Sequence, residues 1–178
     1  MGIFKSRKVS SADLSLAFGA IAFPIHVWAI INILIIFPAW LLRLSLWELA
    51  GAVGYPLLDA FIESAILWIV MAVLALILPG KWLADKFVAL SSVLIWLLSA
   101  WVALAHFIFA SIVQWGPEQM IPALLLVAFS FVLVYGLVQR FARLESWIKK
   151  AAQGLAVLTY IYMLFDLLGL VVVVIRNL

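Results

Sequence analysis

Five apolar stretches, each long enough to cross a membrane as a helix, dominate this chain of 178 residues. The hydrocarbon core of a bilayer is about 30 Å thick, and a helix rising about 1.5 Å per residue crosses it in roughly 20 residues. A soluble protein would need a large polar remainder to cover such runs, but 69% of this chain is hydrophobic. The sequence therefore predicts an all-α polytopic integral membrane protein, one transmembrane helical domain over residues 1–178 with helices at about 14–40, 56–78, 87–113, 120–138 and 151–175.

The positions of Lys and Arg predict the orientation of this bundle, because basic residues are retained preferentially on the cytoplasmic side. Only Arg43 and Arg176 fall on one side of the predicted helices. The other basic residues all fall on the opposite side: Lys5, Arg7, Lys8, Lys81, Lys86, Arg140, Arg143, Lys149 and Lys150. We therefore expect a cytoplasmic N-terminus and an exoplasmic C-terminus, in a plasma membrane of the prokaryotic inner-membrane type.

Composition and motifs exclude several kinds of chemistry. The chain has no Cys, so disulfides, thiolate metal sites and cysteine nucleophiles are absent. Its net charge of +3 resides at the ends of the apolar blocks, where insertion places it, so no nucleic-acid role is predicted. No HExxH, Gly-framed Ser or phosphate-binding motif occurs, and the sequence leans against an enzyme. No cofactor is predicted, and a metal held by His and carboxylate is retained only as a minor alternative.

Two of the connections carry patterns of their own. Residues 43–55 are predicted to lie in the outer interface, as an ordinary loop or as an amphipathic or re-entrant turn containing the flexible Gly51 and Gly54. Residues 139–150 interleave aromatic and aliphatic side chains with basic ones, which predicts a surface helix touching anionic lipid headgroups. Within that helix, Glu145 and Lys149 have the spacing of an i,i+4 ion pair.

Small and polar residues recur at helical spacing and predict the packed faces of the helices. One such stripe lies on the first helix, a second on the third helix and another on the fifth. The fourth helix has few such residues and is predicted to face lipid or a partner. The stripes are Ser15, Gly19, Ala22, His26 and Ala29; Ser92, Ser99, Ala103, His106 and Ala110; and Thr159, Tyr162, Asp166 and Gly169.

Five ionisable residues fall inside the predicted spans, where an uncompensated charge costs several kcal/mol. Counting about 1.5 Å per residue places Glu63 and His106 roughly 10 Å below the outer boundary and Asp166 about 14 Å below it. Asp59 is expected nearer the surface and His26 nearer the middle. These depths predict an outward-facing polar pocket that binds a ligand or proton, formed by Glu63, His106 and Asp166, with Asp59 at its mouth and His26 at its floor.

Each of these residues also has a simple structural interpretation. Asp59 is suited to a helix start, the two His to hydrogen bonds between helices, and Asp166 to anchoring a hydroxyl. Glu63 fits such an interpretation least, because no basic residue is expected at its depth. Two carboxylates with two His could also hold a metal, although no ligand-spacing motif supports that assignment.

Three function classes are compatible with the sequence. The first is an accessory or scaffold subunit of a larger membrane assembly, with the bilayer, other membrane subunits or copies of itself as partners. The second is a small transporter linked to a cation or proton, which acts as a single chain or as an oligomer. The third is a lipid-modifying or metal-dependent membrane enzyme. Small size and the lack of a catalytic motif favour the first class.

Overall fold

The computed structural model describes residues 9–108 and 112–178 and is helical throughout, with no strand among those residues. Five of its helices are long and apolar enough to cross a membrane, which confirms the predicted fold class. The chain is thus a small multi-pass membrane protein. The helices are α1 (Ser11–Leu41), α2 (Leu46–Ile77), α3 (Phe87–Phe107, preceded by the 3₁₀ turn Ala84–Lys86), α4 (Pro117–Arg140), α5 (Ala142–Ala156) and α6 (Thr159–Asn177).

Helix α1 is the centre of the bundle and packs against α2, α3, α5 and α6. Apart from His26, its fully buried residues are small or aliphatic, including Ala17, Ala20 and Ile21, so neighbouring helices approach it closely. Helix α6 packs mainly on α2, and α4 packs only at the edge, on α3 and α5. Val138 is the sole buried residue of α4 within the described chain. The prediction that the fourth span faces lipid or a partner is consistent with this position.

A proline in α1 creates the attachment point for α3. Pro24 has no N–H, so the carbonyl of Ala20 loses its intrahelical donor, and an unsatisfied carbonyl is costly inside a membrane. The indole Nε1–H of Trp96 donates to that carbonyl at 2.7 Å. A second indole, that of Trp68 on α2, donates to the carbonyl of Leu14 at 2.9 Å. Two tryptophans thus fix α2 and α3 on the backbone of α1.

The loop or turn predicted over residues 43–55 is wrong in conformation: the chain turns at Arg43 and is helical from Leu46 onward. Ser45 caps this helix, because its hydroxyl accepts from the backbone N–H of Glu48 while the Glu48 carboxylate accepts from the Ser45 N–H. Gly51 lies inside the helix, where it leaves room for Arg176. The Nη1 of Arg176 donates to the carbonyl of Trp47 at 2.9 Å and joins α6 to α2 at this end.

The predicted fifth span began at residue 151, whereas α6 begins at Thr159. Residues 151–156 belong instead to α5, a helix of 15 residues that is too short to span. The predicted surface helix over residues 139–150 is confirmed as a helix, shifted to Ala142–Ala156. The end of the third span, predicted at 113, falls close to residues 109–111, which lie outside the described part of the chain.

Connections that the charge pattern places on the same side of the membrane lie together at one end of the bundle. Segment 81–86 meets the end of α4 and the start of α5, because the amide of Gln139 donates to the carbonyl of Lys81 and Lys86 pairs with Glu145. Arg176 and Trp47 meet at the other end. Which end faces the cytoplasm stays a prediction from the basic residues.

Candidate functional site

His26 and Asp166 form a sealed polar pair at the centre of the bundle. The ring Nε2 lies 3.0 Å from one carboxylate oxygen of Asp166 and 3.2 Å from the other. The residues are only 1% and 6% exposed. His26 is the sixteenth of the 31 residues of α1, and Asp166 the eighth of the 19 residues of α6, so both are near the middle of a span.

The partner of the second ring nitrogen determines how protons are arranged in this pair. Nδ1 of His26 lies 2.9 Å from the carbonyl of Ala22, and because a carbonyl only accepts, we infer that Nδ1 carries a proton. One further proton must lie between Nε2 and the carboxylate, since two acceptors do not bond to each other. The pair is therefore imidazolium with carboxylate, or imidazole with carboxylic acid. Both states have zero net charge, which removes most of the cost of placing them in a membrane.

The polar stripe of α6 holds this pair in place. The Tyr162 ring stacks on the His26 ring, with centroids 4.7 Å apart and planes 19° from parallel. One turn before it, Thr159 contacts Gly19 of α1, and one turn after Asp166, Gly169 lies against the backbone of Gly54 on α2. Every member of the predicted fifth-helix stripe therefore packs against another helix. The hydroxyls of Thr159 and Ser92 are buried with no hydrogen-bond partner among the described residues.

Glu63 lines a different space, a groove of about 400 Å³ between α1, α2 and α3. Its side chain is exposed. Residues of α1 form one side of the groove, including Pro24, Val27 and Trp28, and Ser99 and Ala103 of α3 form another. Glu63 is the one charged residue along this lining.

The two carboxylates of α2 lie farther from the start of their helix than the sequence predicted. Because residues 46–55 are helical, Asp59 and Glu63 are the fourteenth and eighteenth of 32 residues, close to the midpoint of the helix. Both side chains are exposed on the outside of the bundle. Within residues 9–108 and 112–178 neither forms an ion pair. Among the described residues, every Lys and Arg lies in a connection, at the end of a spanning helix or in the short helix α5, so none is placed to neutralise them at mid-span.

His106 lies near the end of α3 rather than in the core. It is the twentieth of the 21 residues of that helix, and its side chain is exposed. The ring packs edge-on against Trp28, with centroids 5.1 Å apart, and Trp28 also lines the groove of Glu63. His106 thus sits beside the groove, on a tryptophan that the two share.

The residues of the predicted single pocket are therefore divided among three places. His26 and Asp166 meet inside the bundle, whereas Glu63 faces the groove with His106 at its edge, and Asp59 lies on the outer face of α2. Val27 and Trp28 follow His26 by about 100° and 200° around α1, so the groove and the pair lie on different faces of that helix. Over the described ranges, no group of three or more His, Asp or Glu side chains could hold a metal ion.

A third polar cluster lies at the end of the bundle that contains Lys86. The sequence predicted its Glu145–Lys149 pair but not the contacts of Lys86. The Nζ of Lys86 lies 3.1 Å from the Glu145 carboxylate, and the Lys149 Nζ lies 2.6 Å from it, as the i,i+4 spacing predicted. Lys86 also donates to the carbonyls of Val138 and Gln139 at 2.8 and 3.0 Å. These are among the last carbonyls of α4, which have no intrahelical donor and attract a cation. Lys86 thus joins α3, α4 and α5.

Acid should weaken the docking of α5 through Glu145. Burial of this carboxyl raises its pKa, but hydrogen bonds and charges from Lys149 and Lys86 together outweigh that effect, so the pKa lies below its ordinary value of 4.5. A pKa lowered by folding means that the stabilisation is present above pH 4.5 and is lost as the pH falls through the folded value. We expect the protection of the amides in 142–156, measured as the exchange rate relative to the intrinsic rate at the same pH, to fall below pH 4.5. In Glu145→Gln that protection should be lower at pH 7 and should change little with pH, whereas Glu118→Gln, at the start of α4, should behave like the parent.

Comparisons with protein-family models, with curated proteins and with solved structures find no match for this chain. The function must therefore be argued from the geometry of its polar groups.

Proposed function

We propose that the chain is an accessory or scaffold subunit of a larger membrane assembly. The observation that supports this most directly is the contrast between its two kinds of intramembrane acid. Asp166 is paired with His26 inside the bundle, but Asp59 and Glu63 are exposed at the middle of α2, where the described residues place no Lys or Arg. An exposed carboxylate in hydrocarbon costs several kcal/mol unless it is protonated or paired. A second chain packed on α2 would supply the missing partner.

The composition of the outer surface supports the same proposal. Helix α4 packs on the bundle along one edge only, and most of its large apolar side chains are exposed, including Leu125 and Val132. In addition, α2 presents Ile66 and Ile69 beside the two acids. Apolar surface alone suits lipid equally well, so it is the acids that favour a protein partner.

A proton- or cation-linked transporter receives less support. Its best candidate proton site, the pair of His26 and Asp166, is sealed from both lipid and water. Glu63 opens toward the outside of the bundle rather than toward a central cavity. A transport site needs access from each side of the membrane in turn, which neither position offers in this conformation.

Cross-linking in intact membranes tests the proposal, and the lack of native cysteine makes it direct. Ile66→Cys places a thiol one turn from Glu63, and Leu167→Cys is the matched position on α6; the two side chains are 54% and 58% exposed. A maleimide–benzophenone probe on Ile66→Cys should yield one stoichiometric protein adduct, identified by mass spectrometry, which disappears when Asp59→Asn and Glu63→Gln are added. The same probe on Leu167→Cys should yield lipid adducts.

Two results would contradict the subunit role. One is lipid adducts alone at both positions. The other is an adduct only between two copies of this chain, since the described residues of a second copy bring no Lys or Arg to the middle of a span.

A further inference from the structure

The groove beside Glu63 has the chemistry of a docking site for one kind of partner. It runs between α2 and α3 over α1, it is mainly apolar, and it carries a single carboxylate at the midpoint of α2. On its α3 side lie the small residues Ser99, Ala100 and Ala103, which let another helix approach closely. From these features we infer that the groove receives a transmembrane helix of a partner that carries Lys or Arg near mid-membrane. This inference rests on the proposed function, because it specifies the partner that the subunit would bind.

The position of Glu63 excludes the other common sources of positive charge. A lipid headgroup lies about 15 Å from the middle of the hydrocarbon core, half its thickness, and does not reach a residue at the centre of a span. A bare metal ion prefers several oxygen ligands, but the groove offers one carboxylate and one hydroxyl. A basic side chain carried by a helix reaches this depth and brings its own apolar surface to cover the groove.

Asp59 makes the binding of a cation beside Glu63 more favourable. It lies one turn from Glu63 on the exposed side of α2, and two carboxylates at i,i+4 repel each other. A Lys or Arg between them would neutralise one charge and form charge-assisted hydrogen bonds. The Ser99 hydroxyl, across the groove, can accept a further bond from such a side chain. Because Glu63 is the eighteenth residue of 32, the basic residue of the partner should lie near the centre of its own span.

Binding of designed transmembrane peptides tests this chemistry. The chain, labelled at Leu42→Cys on an 87% exposed position at the helix end, is reconstituted in nanodiscs with a Leu- and Ala-rich peptide carrying an acceptor dye. One peptide has Lys at its centre and the matched peptide has norleucine there. Energy transfer should show at least about tenfold tighter binding of the Lys peptide, as expected of one charge-assisted contact.

Variants of the chain connect this preference to the groove. Glu63→Gln should abolish the preference for Lys, and Glu63→Lys should transfer it to a peptide with Glu at its centre. Ser99→Phe, which fills the groove, should weaken binding of both peptides, whereas Val132→Phe on the exposed face of α4 should change neither. Unchanged melting temperatures would show that these variants remain folded.

Equal binding of the Lys and norleucine peptides overturns the inference, as does a preference for Lys that survives Glu63→Gln. Failure of this inference and failure of the proposed function give different patterns. If the Ile66→Cys adduct forms and depends on the carboxylates but the Lys peptide shows no preference, the subunit role stands and the basic-helix partner is excluded. If the Lys peptide binds through Glu63 but membranes yield no adduct, the groove chemistry stands and the subunit role fails.

Discussion

Asp166→Ala should lower the free energy of unfolding by about 1–5 kcal/mol, the range from a buried polar group without a partner to a buried charge without one. An interhelical hydrogen bond in a membrane averages only about 0.6 kcal/mol, because a broken donor usually finds another acceptor. His26 has no such alternative, since it is 1% exposed and the Tyr162 ring covers one of its faces. The loss should be measured by reversible unfolding in mixed micelles, followed by tryptophan fluorescence.

Replacing both members of the pair distinguishes its electrostatic role from simple packing. In His26→Leu with Asp166→Leu no charge is left buried, and such apolar substitutions of ion pairs are often neutral. We therefore expect the double variant to be more stable than either Asp166→Leu or His26→Leu alone, with a coupling energy above about 0.5 kcal/mol. Glu63→Ala is the matched control at an exposed acid and should change the stability of the isolated chain little. An Asp166→Ala loss below about 1 kcal/mol would mean that the pair is no more than an ordinary hydrogen bond.

The number and type of the membrane helices could be predicted because one physical requirement fixes them. A chain in hydrocarbon must satisfy its backbone within each span, so long apolar runs become helices. Helix ends obey weaker rules. The extension of α2 to Leu46 was missed because Pro56 suits the first turn of a helix, yet Pro56 lies inside α2. The sequence did contain the correct signal, since Ser45 followed three residues later by Glu48 is a capping box.

The polar sites were harder to predict, because pairing between distant helices depends on packing. The stripes of α1 and α6 indicated their packed faces, with the exception of Ser15, which is exposed. Nothing local in the sequence, however, joins His26 to a residue 140 positions away. The distance of Glu63 from the start of its helix was underestimated because α2 begins at Leu46 rather than at residue 56. Gly51 and Gly54 looked like flexible turn residues and are instead positions where residues of α6 contact α2 closely.

Gly169→Ala should destabilise the bundle by about 1–3 kcal/mol, the usual cost of overfilling a packed site. A Cβ on Gly169 would lie 2.9 Å from the carbonyl oxygen of Gly54 and 3.5 Å from its Cα. These atoms are backbone and cannot rotate away, so α2 and α6 would have to separate. Asp166 lies one turn earlier on α6, and the same displacement should lengthen its contact with His26. The variant should therefore lower the melting temperature.

Gly136→Ala provides the matched control for this prediction. Gly136 is also inside a helix, but a Cβ there would meet no atom within 4 Å. The same substitution should therefore be stabilising, by up to about 1 kcal/mol, because Ala is the better helix former. The two changes are chemically identical and are expected to have opposite signs, so the difference measures the approach of α2 to α6 alone. Equal effects in the two variants would show that Gly54 and Gly169 are not in contact.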